Sequence, residues 1–318
     1  MSMHVLRNRL QFVGTGADYF GIYLVNLLLT VVTIGFYYPW AKAARLQYTY
    51  ANTNLDNNPF QFHGTGREMF IGFIKAIGLI LAFFLVIGYC FNSSVPALRL
   101  VGIVGYLAAI LLITPIAIHG SLKYRLSRTS WQGIHFGYRG DRGELIKLFL
   151  TNGLLTIITL GLYSAWMTVN ILRYTTGHVR FGSAKIAFTG SGESYFWLNV
   201  KGYILTVLTL GIYGFWWGRD RFDYQIDNLH IEHDDMEYGI QSSMTVGTFF
   251  NLVVVNVLLL VFTLGLAMPW VIARSLRIIF DNILIDERFE PAAILQTEAD
   301  YRNATGDDLA DILDISPF

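Results

Sequence analysis

The chain has 318 residues, of which 53% are hydrophobic and only 14% are charged, whereas soluble domains average about 25% charged residues. Its 23 basic and 23 acidic residues balance, so the net charge indicates neither a nucleic-acid partner nor an acidic substrate. The single cysteine, Cys90, excludes an intrachain disulfide. Because the apolar residues are gathered into blocks of about membrane length, the composition predicts a polytopic membrane protein.

The N-terminal segment, MSMHVLRNRLQF, contains neither an apolar signal core nor a cleavage site, so we expect the first span to be retained. It ends in an alternating piece, Leu10 and Phe12, that runs into a Gly-Thr-Gly turn at residues 14–16, and similar pieces precede later apolar blocks. Apolar residues two apart before a glycine turn predict short half-exposed strands. The acids that start these blocks are expected to cap helices, and they are Asp18, Glu68, Glu144 and Glu193.

Six apolar blocks are candidate membrane spans, at about residues 19–40, 69–91, 98–118, 145–166, 195–217 and 247–270. At about 1.5 Å per residue, each matches a hydrocarbon core about 30 Å thick. The predicted fold class is therefore a membrane all-α bundle of about six transmembrane helices, with short β-strand or hairpin elements in the connecting loops. Residues 1–285 would form this single membrane domain. Residues 286–318 would form an acidic polar tail, in which Leu309, Ile312 and Leu313 fit either a short amphipathic helix or disorder.

One motif recurs at the end of four of these blocks. Residues 30–40 read TVVTIGFYYPW, 156–166 read TIITLGLYSAW, 206–216 read TVLTLGIYGFW, and 260–270 read LVFTLGLAMPW. The second threonine, the glycine and the tryptophan keep one spacing, which indicates that a unit of strand, turn and helix was copied along the chain. Since each copy ends an apolar run and begins a polar one, the motif predicts the exit of a membrane-spanning helix.

Basic and aromatic residues mark these exits. The lipid-interface candidates are Trp40, Arg45, Trp166, Arg173, Trp216, Arg221, Trp270 and Arg274. Tryptophan settles at the headgroup level, and arginine just beyond it can snorkel to the interface or meet phosphates. We expect interfacial anchors, with binding of anionic lipid head groups as the alternative.

Asparagines and threonines form a polar stripe near the ends of the predicted spans. Its members are Asn26, Thr30, Thr33, Asn152, Thr156, Thr159, Thr206, Thr209, Asn256 and Thr263. Residues three and four apart share one helix face. The stripe therefore predicts either side chains that bond to their own helix and tie neighbouring helices together, or a polar path between the repeated helices.

The sequence is consistent with two placements of the units relative to the membrane. Basic flanking residues divide almost evenly between the faces, so the positive-inside rule does not select an orientation. The units are either inverted repeats, or some repeat helices enter and leave on one face so that the strands form one sheet. An even number of spans favours both termini in the cytoplasm.

The sequence contains little that points to catalysis. His230, Glu232 and His233 lie in the most polar loop and are weak metal-ligand candidates, with a solvated acidic loop as the alternative. G-x-S-x-G, H-E-x-x-H, P-loop and C-x-x-C motifs are lacking. We therefore expect neither an enzyme nor a bound cofactor.

The repeated strand, G-T-G turn and T-x-G-x-Y-x-P-W exit, followed by R-x-x-Y at Arg45 to Tyr48 and at Arg221 to Tyr224, resembles the YjgN-like family of bacterial inner-membrane proteins. The resemblance covers roughly residues 8–285. It implies a multi-span protein of the bacterial inner membrane and supplies no catalytic residue, because the family is a domain-of-unknown-function group.

Two functions are consistent with these patterns. The first hypothesis is a transporter-like or channel-like protein whose repeated helices enclose the asparagine and threonine path. The alternative is a membrane organiser that does not transport and that binds lipid head groups or a partner protein through its exits and strands.

Overall fold

The computed structural model describes residues 5–297, and within that range the backbone forms ten α-helices and eleven β-strands. The strands are β1 (Leu6–Asn8), β2 (Leu10–Phe12), β3 (Thr53–Leu55), β4 (Asn58–Phe62), β5 (Thr129–Trp131), β6 (Ile134–Tyr138), β7 (Val179–Phe181), β8 (Ala184–Phe188), β9 (Leu229–His233), β10 (Met236–Ser242) and β11 (Ile283–Asp286). The helices form successive pairs, which are α1 (Gly16–Val32) with α2 (Tyr38–Ala51), α3 (Gly66–Asn92) with α4 (Pro96–Ser127), α5 (Arg142–Ile158) with α6 (Ser164–Gly177), α7 (Gly192–Leu208) with α8 (Gly214–Asp227), and α9 (Val246–Phe262) with α10 (Met268–Asp281). Each pair leaves the sheet after one strand and returns to the next.

All the described strands belong to one antiparallel sheet, which closes on itself. Its order is β1-β11-β10-β9-β8-β7-β6-β5-β4-β3-β2, and β1 and β2 are a single extended stretch interrupted at Arg9. Because β1 pairs with β11 and β2 pairs with β3, this stretch joins the two ends of the order into a ring. At the junction, the Arg9 guanidinium forms an ion pair with Asp56 and donates to the Phe289 carbonyl.

The helices form a second ring on one edge of the strand ring. Neighbouring helices pack against each other around the whole circle, and α1 packs against α10 to complete it. The second helix of each pair, hereafter the return helix, also packs on a strand, as α2 does on β4 and α10 on β2. The turns of the strand hairpins, such as residues 56–57 and 182–183, therefore lie on the edge away from the helices.

The interior of the strand ring is the main hydrophobic core. Trp131, Phe181 and Ile231 are buried there, and the Trp131 indole donates to the Asn58 carbonyl at 3.0 Å. The chain after β11 closes the ring at its turn edge: Phe289 and Ile294 join the core. A backbone hydrogen bond of 2.8 Å from Ser183 to Leu295 fixes this segment to the β7–β8 turn. Residues 286–297, predicted as part of the polar tail, thus pack on the sheet, and the predicted helix around Leu309 lies outside the described residues.

The glycine turns and the tryptophans of the recurring motif pack together between successive helix pairs. The Trp40 ring lies against Gly66 at the start of α3, Trp166 lies against Gly192 at the start of α7, and Trp270 lies against Gly16 at the start of α1. A Cβ atom at any of these glycines would come within 2.2–2.4 Å of the indole. Glycine is therefore required at these three junctions between a return helix and the first helix of the next pair, whereas α5 and α9 begin with Arg142 and Val246. The contact of Trp270 with Gly16 closes the ring.

The residue just before each first helix caps that helix, and in three of the five turns it lies between two glycines. Backbone N–H groups three residues on donate to the side chains of Thr15, Thr65, Asp141, Ser191 and Thr245. A tyrosine from the return helix holds the same turns, since the hydroxyls of Tyr48, Tyr174 and Tyr224 donate to the carbonyls of Thr15, Asp141 and Ser191 at 2.7–2.9 Å. The capping side chains satisfy N–H groups that a helix start leaves without partners, and the tyrosine hydroxyls link the return helix to the turn.

The predicted all-α bundle of about six transmembrane helices is wrong. Within residues 5–297, two helices are long and apolar enough to cross a membrane, Gly66–Asn92 and Pro96–Ser127. The blocks predicted at 19–40, 145–166, 195–217 and 247–270 each contain a helix, a turn and the beginning of a return helix. The error has a physical cause: these turns are made of apolar residues, so hydropathy is continuous where the backbone reverses. All the described strands share one sheet, as the second of the two predicted arrangements requires.

We expect Gly16→Ala to destabilise the protein, because the new methyl group would lie 2.4 Å from the Trp270 ring. Such overpacking costs about 1–3 kcal/mol. Gly21→Ala, in the same helix but with no atom within 4 Å of its Cβ position, is the matched control and should be neutral or slightly stabilising. The thermal midpoint in a mild detergent measures both, and equal midpoints would contradict the packing role of the closing contact.

Phe289→Ala should lower the free energy of unfolding by about 3–5 kcal/mol, because it removes a large ring from the closed end of the core. Phe289 is 2% exposed, whereas Leu295 in the same segment is 70% exposed. Leu295→Ala is thus the control. Limited proteolysis and thermal unfolding should separate the two variants, and an unchanged Phe289→Ala protein would show that the segment does not close the core.

Candidate functional site: the ring of hairpin tips

Four helix pairs share one turn conformation at the tip farthest from the sheet. In the first pair, Ile34 has φ 51° and Gly35 has φ 88°, and the Gly35 N–H donates to the Thr30 carbonyl at 2.7 Å. The same positive angles occur at residues 160–161, 210–211 and 264–265. Since a left-handed bulky residue is unfavourable, the recurring glycine after it and the tight backbone bond are what permit the chain to reverse here.

The tips expose large apolar side chains. Ile34, Leu160, Leu210 and Leu264 are 89%, 94%, 95% and 93% exposed. Two residues later along the chain, the tips add Phe36, Leu162, Ile212 and Leu266, each more than half exposed. Contiguous exposed apolar surface of this kind marks a site of contact with a membrane or a partner.

The polar atoms at the tips are nonetheless bonded within the hairpin. In each copy the second threonine of the motif ends the first helix, and its hydroxyl donates to the carbonyl four residues before it. The same oxygen accepts the backbone N–H at the start of the return helix, from Tyr37 and Tyr163 at 3.0 Å and from Tyr213 and Ala267 at 2.9 Å. A turn without water must satisfy its backbone in this way.

The remaining helix pair, α3 with α4, ends differently. It is longer, with 27 and 32 residues, and its tip carries polar residues between the exposed Phe91 and Val95. Asn92 and Ser94 are exposed, and the exposed Arg99 donates to the Ser93 carbonyl at 2.7 Å. This tip is suited to water or head groups, whereas the other four are suited to hydrocarbon.

Helix length also separates the four pairs with apolar tips from the α3–α4 pair. The first helices of the four short pairs have 17 residues, or about 25 Å, and a hydrocarbon core is about 30 Å thick. Helix α3, with 27 residues, is about 40 Å long. The first helices of the short pairs are therefore shorter than a hydrocarbon core is thick, whereas α3 is longer.

The predicted polar stripe lies along these hairpins. Hydroxyl groups of Thr30, Thr33, Thr156, Thr159, Thr209 and Thr263 all donate to carbonyls of their own helices. The Asn152 amide donates to the Leu148 carbonyl and accepts from Asn170 of α6 at 2.8 Å. The Asn256 amide donates to Ser275 of α10 at 2.8 Å. These bonds favour the alternative in which the stripe ties helices together. Asn26 provides the carbonyl for Thr30, and the buried Thr206 hydroxyl lacks a hydrogen-bond partner within residues 5–297.

The predicted interface residues are distributed around the ring. Trp40, Trp166 and Trp270 pack on glycines of the next pair, while Trp216 stacks on Tyr213. The arginines have separate surroundings: Arg173 donates to the Gly190 carbonyl at 2.6 Å, Arg221 lies over the Trp217 ring, and Arg274 donates to Asn256 at 2.9 Å. Arg45 lines a cavity next to the sheet. The arginines of this set therefore do not form one phosphate-sized pocket.

The weak metal candidates do not converge. The polar loop is in fact the β9–β10 hairpin, and strand alternation separates its histidines. His230 lies 3.4 Å from Glu232 on one face, whereas His233 bonds to the Ser183 hydroxyl at 2.9 Å. A hydrogen bond from Lys185 lowers the pKa of Glu232 below its usual value. Among the residues with described positions, no group of three potential metal ligands occurs.

Comparisons with known proteins agree on one family. The model of a family described as "Bacterial protein of unknown function (DUF898)" matches residues 7–186, 183–239 and 228–312. The inner membrane protein YjgN of Salmonella typhimurium is 38% identical over 130 residues, which cover 41% of this chain and 31% of that protein. The inner membrane protein YjgN of Escherichia coli O157:H7 is 32% identical over 136 residues, which cover 43% of this chain and 32% of that protein. The chain thus matches about a third of the length of these relatives, and no solved structure matches it.

We expect Thr159→Val to destabilise the α5–α6 hairpin, because the Tyr163 N–H loses its acceptor. An unsatisfied donor costs about 1–3 kcal/mol. Thr159→Ser keeps the hydroxyl and should restore most of the stability. Thr151→Val, in the same helix, is the control. It also removes a hydroxyl, which donates to the Lys147 carbonyl at 2.8 Å, but this hydroxyl does not cap a second helix. Hydrogen exchange at residues 160–164 reports the effect, and equal exchange in the two valine variants would contradict the capping role.

Proposed function

The chain belongs to the family of bacterial proteins of unknown function whose model it matches, and on that premise we propose that it is a membrane scaffold whose short hairpins insert into the bilayer from one side. The family resemblance predicted from the sequence is confirmed, and the protein is an integral protein of the bacterial inner membrane. In the proposal, the four short hairpins enter the bilayer and return, α3 and α4 cross it, and the strand ring stays at the membrane surface. The scaffold binds lipid and catalyses no reaction.

The observation that carries the proposal is the contrast between the two kinds of tip. A leucine or isoleucine at least 89% exposed stands at each short tip, and the backbone around it is bonded internally. Water would make such exposure unfavourable at about 25 cal/mol per Å² of apolar surface. Hydrocarbon removes this cost, and it also requires the internal bonds.

The position of the chain in the membrane follows from the long pair. With one crossing out and one back, the strand ring and both ends of the described chain lie on the same side, and residues 92–95 lie on the other. We retain within this proposal the expectation that both termini are cytoplasmic. The equal lengths of the four short pairs, with 17 and 14 residues in each, support the proposal that one module was copied.

A transport role remains a prediction from the sequence. It requires water to reach the asparagine and threonine stripe between the hairpins. The hydroxyl bonds within single helices provide no support for this requirement.

Single-cysteine variants test the proposal in sealed membrane vesicles, with the native Cys90 changed to serine. Asp234→Cys, at the turn edge of the sheet, should react with a membrane-impermeant thiol reagent from one side only. Ser94→Cys should react from the opposite side. Leu160→Cys and Leu210→Cys should react from neither side until detergent is added.

The same experiment distinguishes the scaffold proposal from the transport hypothesis. Thr156→Cys should be protected in the scaffold, whereas a small water-soluble thiol reagent should reach it if a polar path exists. Reaction of Leu210→Cys at the rate of Ser94→Cys before detergent is added would refute insertion of the tips. Reaction of Thr156→Cys while the tips stay protected would favour transport.

A further inference from the structure

An open groove of about 800 Å³ lies between two successive helix pairs, α5–α6 and α7–α8. It is lined by the α5–α6 tip at residues 160–162, by the start of α6, by one face of α7, and by Trp217 and Arg221 of α8. This volume is within the usual range for small-molecule sites. Because a tip contributes to the lining, the groove is continuous with the apolar surface that the proposed function places in hydrocarbon.

Most of the lining is apolar and exposed. Leu160 and Leu162 of the tip are exposed, as are Tyr203 and Ile204 of α7. The amide of Asn199, which also lines the groove, donates to the carbonyl four residues before it at 2.7 Å. The groove therefore offers a ligand a long apolar surface, and an exposed surface of this kind marks a binding site.

Arg221 is the one charged residue among those that line the groove in the described part of the chain. Its guanidinium lies over the Trp217 ring, 5.8 Å from the ring centre, and its N–H groups bond to none of residues 5–297. By contrast, Arg219 on the same helix forms ion pairs with Asp220 and Asp223 at 3.1 Å. An arginine held over an aromatic ring keeps its in-plane N–H groups available, and these groups bind phosphate in a bidentate manner.

The tryptophan under Arg221 is a departure from the repeated module. Trp217 directly follows the tryptophan of the motif, and the corresponding residues of the other short return helices are Ala41, Met167 and Val271. Its ring packs on Gly202, where a Cβ atom would lie 2.2 Å away, and its indole donates to Asn199 at 3.3 Å. The residues that correspond to Gly202 in the other short pairs are Asn26, Asn152 and Asn256.

The arginine is not required by the module either. At its position α6 has Ile171 and α10 has Ser275, while α2 has Arg45. Return helices of the same length therefore form without a charge there. Helix packing thus does not explain why Trp217 and Arg221 occur together at this groove, whereas binding of a ligand does.

We propose that this groove binds one anionic phospholipid of the surrounding membrane. Its phosphate would meet Arg221, and an acyl chain would lie along Leu162, Val200 and Ile204. The positive charge of the lining favours an anionic head group over a zwitterionic one, whose own cation competes for the phosphate. This inference rests on the proposed function, because the lipid enters the groove from the bilayer into which the hairpins insert.

Native mass spectrometry of the full-length protein, released from neutral detergent, tests the proposal. The protein is first mixed with equal amounts of dioleoyl phosphatidylglycerol and dioleoyl phosphatidylcholine. We expect the first lipid to be retained about fivefold more often than the second, because one cation near an anionic head group contributes about that factor. Equal retention of the two lipids would refute the charged site.

Variants then assign the retained lipid to this groove. Arg221→Gln should remove the preference for phosphatidylglycerol. The control Lys201→Gln removes the same charge from an exposed residue of α7 that does not line the groove, and it should keep the preference. Val200→Trp fills the groove without altering charge and should abolish retention of the lipid, and Leu162→Trp at the exposed tip replaces it if that variant fails to fold. Equal losses for Lys201→Gln and Arg221→Gln, or full retention by the tryptophan variant, would overturn the proposal.

Failure of this proposal can be distinguished from failure of the scaffold role. If the lipid preference is absent while Leu160→Cys stays protected in vesicles, the bound lipid is refuted and the scaffold stands. If Leu160→Cys reacts in vesicles, the scaffold is refuted whichever lipid the solubilised protein retains. Dimers that disappear with Val200→Trp in the same spectra would show that a second copy of the chain occupies the groove, which would also overturn the proposal.

Discussion

Closure of the ring is the constraint on which the rest of this structure depends. Strand edges with unpaired backbone groups favour aggregation, and here the interrupted stretch β1 to β2 pairs with both the last strand and the first hairpin. The same closure gives every helix pair two neighbours. The contact of Trp270 with Gly16 closes the ring of helices, as the pairing of β1 with β11 closes the ring of strands.

In the proposed function, the tips connect this architecture to the membrane. A reversal inside hydrocarbon must leave no backbone group without a partner, and a threonine hydroxyl is small enough to serve both helices of a hairpin. It donates back to its own helix and accepts from the next, as Thr159 does. The second threonine of each motif, which first indicates a pathway through the membrane, is thus used by the turn itself. A polar side chain inside an apolar block is evidence for transport only where it is not hydrogen-bonded to the backbone.

Much of the local structure was predictable from the sequence, and much of the tertiary structure was not. The alternation at Leu10 and Phe12, the capping turn at Thr15 and the helix after it follow from periodicity and capping rules. A full reversal of the chain at Ile34 and Gly35 does not follow from the pattern, because a glycine between apolar residues is common inside membrane helices. Ring closure was missed because the pairing of β1 with β11 joins residues about 280 apart in the chain, for which a short strand of three residues carries no signal.

The candidate sites show the same limit. The tryptophans were recognised as a set, but their role against the glycines of the next pair requires knowledge of which pairs are neighbours. Lys42 and Arg125 are far apart in sequence and line one cavity only because α2 and α4 flank α3 in the ring.

The shared strand also determines the order in which the molecule can be completed. Strand β1 leaves the ribosome long before its partner, so it has no neighbour on its outer side until residues 283–286 have been synthesised. Helix pairs can enter the bilayer one after another in the meantime, because each makes its first contacts with the preceding pair. The nascent chain is therefore an open arc with one unprotected edge, and only the arrival of β11 turns it into a closed body.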